Sequence, residues 1–317
     1  MVVVGGGTAG LSGALTLGRA RRSVLVINAG EPRNAPAAGV HGFLTRDGTN
    51  SAALLEAGRA EVGRYGVGVL DGRVDSAFPV DGGGFAVGIE DGRRVGARRL
   101  LVTTGLVDEL PDIPGVRERW GRDVVHCPYC HGWEVRDRPI GVLALNSWAA
   151  HQALLFRQWS DDVTMFLHTA PRPTAEEAEK LAARGIAVVE GEVSALELVE
   201  DRPAGVRMDG EVVALGAMAI MPRVVARAEM FEGLGLETTG HPSDLGEQVE
   251  ADATGLTAVP GVWVAGNVAD LAATVVGAAG AGVRVGAAIN ADLIAEDTER
   301  AVTAYRARHV ARTAGRR

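Results

Sequence analysis

Cysteine is almost absent from this chain of 317 residues: there are two, Cys127 and Cys130, three positions apart. A structural disulfide framework spreads its cysteines to close large loops, and a structural zinc takes about four ligands. His126 and His131 flank the pair and would complete a Cys-and-His zinc set. A histidine directly adjacent to a cysteine is a poor partner in one tetrahedron, however, so no metal is expected. A lone C-x-x-C of this kind reads as a redox pair. Long apolar runs are lacking too; none reaches the roughly 18 residues of a membrane span. Basic residues are outnumbered, 32 against 40 acidic, for a net charge of −8. That balance argues against nucleic acid and anionic membrane as partners. The opening Met1-Val-Val-Val-Gly5 has neither the basic segment nor the length of a secretion signal. It reads as a short buried strand whose true start lies a few residues upstream, and the expectation is a cytoplasmic protein.

What the chain does have is an apolar fraction of 47% beside 23% charged residues. That is the balance of a soluble globular protein with a large core, and the length suits two domains. Residues 2–30 read as strand, glycine turn, helix and strand. Val2 to Val4 is a buried run, Gly5-Gly6-Gly7-Thr8-Ala9-Gly10 follows, Leu11 to Arg22 is rich in Ala and Leu, and Val24 to Ile27 is the second strand. G-x-G-x-x-G on Gly5, Gly7 and Gly10, set between a strand and a helix, is the dinucleotide-binding pattern. The glycines let the backbone approach a pyrophosphate, and the helix N-terminus offers free N–H groups. An acidic residue usually closes the second strand to bond the ribose hydroxyls. Asn28 stands there instead; its amide oxygen can still accept one hydroxyl proton. Glu31 lies just past the turn.

Further along, residues 68–105 alternate apolar and polar positions between Asp-Gly turns, a β-meander, and end in the strand Leu100 to Gly105 with its Thr103-Thr104-Gly105 terminus. Pro111 and Pro114 punctuate a linker ahead of the Cys pair. Ile140 to Leu145, a helix to about Trp159, and Val163 to Leu167 form a second strand–helix–strand unit. Residues 174–184 read as a helix and 186–222 as short strands. Val262 to Val268 is a late strand ending in Gly266-Asn267, before a small-residue helix over about 273–296 and an Arg-rich tail, 305–317, read as a fraying helix.

The glycine turn, the strand ending Thr103-Thr104-Gly105, the C-x-x-C and the late Val262-Trp-Val-Ala-Gly-Asn-Val-Ala-Asp270 stand in a fixed order. Over essentially the whole chain this resembles the low-molecular-weight thioredoxin reductase family of flavoproteins. His126-Cys-Pro-Tyr-Cys-His-Gly132 narrows the resemblance to the dithiol oxidases that close disulfides in gliotoxin- and holomycin-type natural products, which carry histidine after the second cysteine. Pro32-Arg33-Asn34 and His41 to Gly48 look like the same branch. The resemblance implies an α/β chain of two Rossmann-like, three-layer ββα domains. One is a discontinuous FAD domain, residues 1–112 and 244–317. The other, 113–243, is inserted, carries the C-x-x-C, and is a vestige of a nicotinamide-binding domain. FAD would be held by Gly5, Gly7, Thr8, Ala9 and Gly10, by Asn28, Glu31, Arg33, Asn34, His41 and Val74, and by Thr104, Gly105, Gly266 and Asn267. Asn267 replaces the aspartate that faces the ribityl chain, a second amide in place of a carboxylate, so somewhat weaker FAD binding is expected. Members of the family pair through the FAD domain; a homodimer is expected, with the Ala/Gly-rich helix 273–290 packing closely across a two-fold.

The departure lies in the inserted domain. Nicotinamide-using members repeat the glycine turn after the strand at 140–145, where this chain has Ala144-Leu-Asn-Ser-Trp-Ala149. Trp148 would crowd a pyrophosphate. After the next strand stands Leu167-His-Thr-Ala-Pro-Arg172, with one late arginine in place of a cluster for the 2′-phosphate of NADPH. By the resemblance, Cys130 faces the flavin and Cys127 meets the substrate, a small-molecule dithiol. A substrate thiolate opens the oxidised pair at Cys127, the second thiol closes the substrate disulfide, and the electrons leave through the flavin to O2. His131 is the candidate acid/base because imidazole titrates near neutrality, and His126 is the alternative. Two other readings stay open: a reductase of a thioredoxin-like protein fed by NADPH or a ferredoxin, and a non-catalytic FAD-binding redox sensor.

Overall fold

The computed structural model describes residues 1–314, with side chains to residue 309. Seven α-helices occur among the described residues: α1 (Thr8–Arg19), α2 (Ser51–Gly63), α3 (Val116–Arg119), α4 (Pro128–His131), α5 (Ala149–Phe156), α6 (Ala175–Ala183) and α7 (Val275–Ala314). No helix among them is long and apolar enough to cross a membrane.

Five parallel strands make the first sheet, in the spatial order Val262–Val264, Leu100–Val102, Val2–Val4, Leu25–Asn28, Gly68–Asp71. The strands are short apolar runs because both faces of the sheet are covered. Val2, Val4, Leu100 and Val102 enter one core, while Val3, Leu101 and Trp263 enter the other, the period of two that a strand imposes. Leu11, Ala14 and Leu17 of α1 and Val285, Ile289 and Leu293 of α7 close the second core. The two helices touch through glycine. A Cβ at Gly282 would run into the carbonyl of Ala9, and one at Gly286 would crowd that of Gly13. The glycines of the 273–290 segment thus have a use inside the chain, against α1, that the expectation of close packing across a two-fold did not include.

Most of the expected meander forms, as antiparallel Val74–Pro79, Phe85–Ile89 and Arg94–Ala97. Residues 68–71 belong instead to the edge of the parallel sheet. The helix α2 has no counterpart in the sequence reading. Its N-cap is Asn50, whose Oδ1 accepts from the N–H groups of Ala52 (3.0 Å) and Ala53 (3.3 Å), a cap that satisfies donors the helix leaves free. The expected helix at 174–184 appears as α6, opened by a capping box between Thr174 and Glu177, in which each side chain satisfies the other's backbone N–H.

A second sheet, again parallel, runs Ala187–Val189, Val163–Phe166, Ile140–Leu143, Ala217–Ile220, Val124–Val125. A small mixed sheet, Thr239–Gly240, Gly246–Gln248, Arg223–Ala226 and Leu106–Glu109, takes one strand that follows the first parallel sheet's Leu100–Val102 in the chain and one that follows the second's Ala217–Ile220. Residues just past it bear on the boundary at 243/244. Ala226, Ala228, Phe231 and Leu236 are buried among Val74, Phe85, Val87 and Leu100. Burying a side chain like Phe231 contributes about 1.5–3 kcal/mol. Residues 226–236 therefore pack with the first sheet, upstream of where the resemblance puts the crossover.

Candidate active site

In open parallel sheets a ligand sits beyond the carboxyl ends of the strands where the order reverses. Here that point falls between Val2–Val4 and Leu100–Val102, the first and fourth strands of the first sheet in chain order. Gly5 follows the one and Thr103-Thr104-Gly105 the other. Gly5 takes φ +106° and its Cα faces the Thr103 carbonyl, where a Cβ would collide. Thr103 Oγ1 donates to the carbonyls of Val4 (3.0 Å) and Gly5 (2.9 Å) and locks the turn.

A cavity of about 1060 Å³ opens at this switch point, at the top of the roughly 300–1,000 Å³ range of small-ligand sites. Every residue assigned above to cofactor or chemistry lines it except Gly10. A Cβ on Gly10 would meet the Gly5 carbonyl, so that glycine serves the strand–helix contact. Gly7 is the opposite case: a Cβ there meets no protein atom within 4 Å, and it lines the cavity. A backbone left bare toward open space at the N-terminus of α1 fits a dinucleotide pyrophosphate.

Several expected contacts have other partners. Asn28 Oδ1 accepts from the Gly6 N–H at 3.1 Å, and Glu31 pairs with Arg73 at 2.5 Å. Arg33 is held by Asp108, and Thr104 Oγ1 donates to the Arg227 carbonyl at 2.5 Å. Asn267 Nδ2 donates to the carbonyls of Asp270 and Ala273, both at 3.0 Å. An aspartate could make neither bond, which is a local reason for the amide. His41 lies between Asp47 and Glu134, 3.5 Å from each. Val74, Asn34, Gly105 and Gly266 border the cavity without a side-chain hydrogen bond to it.

The Cys pair forms the cavity wall at α4. Cys127 is the N-cap and Cys130 lies one turn on, with its N–H to the Cys127 carbonyl at 3.2 Å. Both cysteines are half-buried, so exposure does not separate the two sulfurs. The Cys130 thiol donates to Cys127 Sγ at 2.8 Å. That bond, then the N–H groups of Cys130 and Tyr129 and the charge of Arg33, bring the Cys127 thiol down to about 7 against the effect of burial. Cys130, which gives the proton, is pushed well above the ordinary thiol value, with burial adding to the effect. Burial pushes the His126 imidazole down to about 4, with Arg33 adding to it. Burial also lowers His131, with Glu134 opposing. Both histidines are neutral at pH 7, and neither ring nitrogen of His131 has a partner among the described residues.

Sequence reasoning missed Gln152 and Asp108. Gln152 is fully buried and donates from Nε2 to the carbonyls of His126 (2.9 Å) and Ile220 (3.1 Å). A glutamine inside the apolar run 149–156 was the available signal.

Cys127 and Cys130 border one dinucleotide cavity, and a thiolate of lowered pKa suits exchange with a disulfide; the protein is a thiol–disulfide oxidoreductase that works with FAD. The chain belongs to the pyridine nucleotide-disulphide oxidoreductase family, whose model matches residues 1–291. Among solved structures it is similar to HlmI, at 46% identity and a TM-score of 0.90 over 96% of this chain and 95% of that one. Thioredoxin reductase sirT of Leptosphaeria maculans is 28% identical over 313 residues, 93% of this chain and 94% of the relative. A third match is local. It covers 148 residues at 36% identity, 45% of this chain and 37% of the length of a probable thioredoxin reductase of Arthroderma benhamiae. Together these bear out the resemblance to thioredoxin reductase-like flavoproteins.

Proposed function

We propose that the protein is an FAD-dependent dithiol oxidase that closes a disulfide in a small-molecule dithiol at Cys127 and Cys130, with O2 as the electron acceptor. One observation carries the choice of oxidase over reductase: at the second switch point side chains bond across the place where a glycine turn would have to meet a pyrophosphate. In the second sheet the order reverses between Ile140–Leu143 and Ala217–Ile220. Asn146 Nδ2, beyond the first strand, donates to the Met221 carbonyl beyond the other at 2.8 Å. Trp148 Nε1 donates to the Ser243 carbonyl at 2.9 Å. A nicotinamide dinucleotide would need that crevice and a glycine turn beside it.

The overall reaction balances as dithiol plus O2 to cyclic disulfide plus H2O2, two electrons and two protons moving together. A substrate thiolate attacks Cys127 Sγ of the oxidised pair, and Cys130 leaves as the thiolate. The second substrate thiol then displaces Cys127 and closes the product ring. His131, neutral and with free ring nitrogens, takes the proton of an incoming thiol. FAD, held by the turn from Gly5 to Ala9 and by Gly266 and Asn267, supplies the two-electron carrier between the pair and O2.

The packing supports two domains with the return crossover near Pro222 in place of 244, the second being the scaffold of a former nicotinamide site. A working dithiol fits a reducing compartment, which favours the cytoplasm, and family analogy favours a homodimer.

Anaerobic titration of the holoenzyme tests the reading. Dithiothreitol should bleach the flavin absorbance, air should restore it with H2O2 formed, and NADPH and NADH should leave it unchanged. Rapid bleaching by NADPH would select the reductase instead, and no thiol-dependent bleaching would leave the redox sensor.

A further inference from the structure

The helix after the 144–148 turn presents positions 148, 151, 152 and 155 on one face, the spacing at which side chains of a helix become neighbours. Trp148, His151 and Leu155 line the same cavity as Cys127 and Cys130. Gln152, between them, is fastened to the carbonyl of His126, the residue before Cys127. The face and the Cys pair are thus held in one frame. The Trp148 indole is itself fixed. Its backbone N–H donates to Asn146 Oδ1 at 3.0 Å and its Nε1 to the Ser243 carbonyl. The His151 ring meets it edge-on, with centroids 5.9 Å apart at 83°. About a third of the residue, 36%, stays open.

An indole whose side-chain N–H is already bonded offers a flat, apolar surface and loses no further freedom when something packs on it. Met221, Pro222 and Leu245 continue that surface along the cavity. The charged pair closest to the cysteines, Arg33 and Asp108, is satisfied internally. Trp148, Leu155, Met221, Pro222 and Leu245 give this part of the wall an apolar face with no charged side chain.

We propose that Trp148, backed by His151 and Leu155, is a specificity-determining wall that selects uncharged, ring-bearing dithiols over open-chain ones at Cys127. The former nucleotide turn has become part of the substrate pocket. This rests on the dithiol-oxidase reading, and the experiment separates the two.

Holoenzyme is assayed in air with naphthalene-1,8-dithiol, a flat bicyclic probe, and with dithiothreitol, an open-chain one. The wild type should show the lower KM for the naphthalene dithiol. Trp148→Ala should raise that KM by about three- to tenfold, the worth of one aromatic contact, with kcat largely kept, and so narrow the preference between the probes. Trp148→Phe, which keeps a ring and loses the bond to Ser243, should recover most of the preference. Flavin content reports folding of each variant. An equal loss for both probes, a loss through kcat alone, or no recovery with phenylalanine would overturn the inference. A wild type that oxidises dithiothreitol without preferring the naphthalene dithiol overturns it and leaves the oxidase reading standing. A wild type that oxidises neither overturns both.

Discussion

Arg33 grips Asp108 through two parallel bonds, Nε to Oδ2 at 2.8 Å and Nη2 to Oδ1 at 2.6 Å. Asp108 is buried and Arg33 only a quarter exposed, so the guanidinium is a fixed charge at the cavity. Its field favours the anion at both cysteines and disfavours a proton on His126. Removing it should weaken the nucleophile without displacing it. In the reduced protein, iodoacetamide should modify Cys127 before Cys130, with a rate that rises through about pH 7. In Arg33→Gln the midpoint should move to higher pH, because the thiolate loses a favourable neighbour. Peptide mapping after timed alkylation gives both results. First modification at Cys130 would reverse the assignment of the sulfurs.

The last two glycines of the G-x-G-x-x-G turn, Gly7 and Gly10, should fail differently. A Cβ on Gly10 strikes the Gly5 carbonyl, whereas one on Gly7 enters open cavity. Gly10→Ala should destabilise the fold by about 1–3 kcal/mol or more, as overpacking does, and lower the melting temperature of the apoprotein. Gly7→Ala should leave the apoprotein's melting unchanged and reduce its FAD occupancy. Calorimetry of the apoprotein and flavin absorbance after reconstitution separate the two effects. Equal destabilisation by both substitutions would remove the distinction.

Local chemistry explains what the sequence made legible. The strand–turn–helix at residues 2–19 and the C-x-x-C are written in adjacent residues, and so is the missing glycine turn at 144–149. The partners of those residues are not. Asp108 lies 75 positions from Arg33 and Met221 75 from Asn146, and only the closed fold brings them together. Helix α2 escaped notice because most of its side chains face solvent and give no apolar stripe; its Asn50 cap was the remaining clue. The packing of residues 226–236 against the first sheet is hidden in the sequence for a similar reason. Phe231 reads as an isolated aromatic until the meander it fills is in place.

Asn267 should resist conversion to aspartate. Its amide donates to two backbone carbonyls, and a carboxylate there would lose both bonds and face two acceptors. Asn267→Asp should cost about 1–3 kcal/mol of stability at neutral pH, the net worth of two hydrogen bonds at about 0.5–1.5 kcal/mol each, measured by denaturant unfolding. A variant as stable as the parent would mean that the loop rearranges to suit the acid.

His131→Ala should slow thiol oxidation about 10²–10⁴-fold at pH 7, the usual worth of a positioned acid or base. Flavin content should be unchanged. The deficit should shrink as pH rises, because the substrate thiols then ionise unaided. Near-parent rates at pH 7 would move the role to His126 or to water.

His126 links stability to pH. Its imidazole falls from an ordinary 6.5 to about 4 on folding, chiefly through burial. Between those values the unfolded chain binds a proton that the folded chain refuses, so folding is opposed as pH drops. Above pH 6.5 the residue has no effect. The loss should begin there and reach about 3 kcal/mol near pH 4, at 1.36 kcal/mol per unit. Carboxylates add their own slope in acid, so the informative quantity is the difference from His126→Asn, which keeps a polar group and cannot titrate. Denaturant unfolding of apoprotein at steps from pH 7 to 4.5 should show the parent's stability falling more steeply than the variant's. Parallel curves would place a charged, solvated imidazole at 126 and remove His126 from the neutral wall around Cys127.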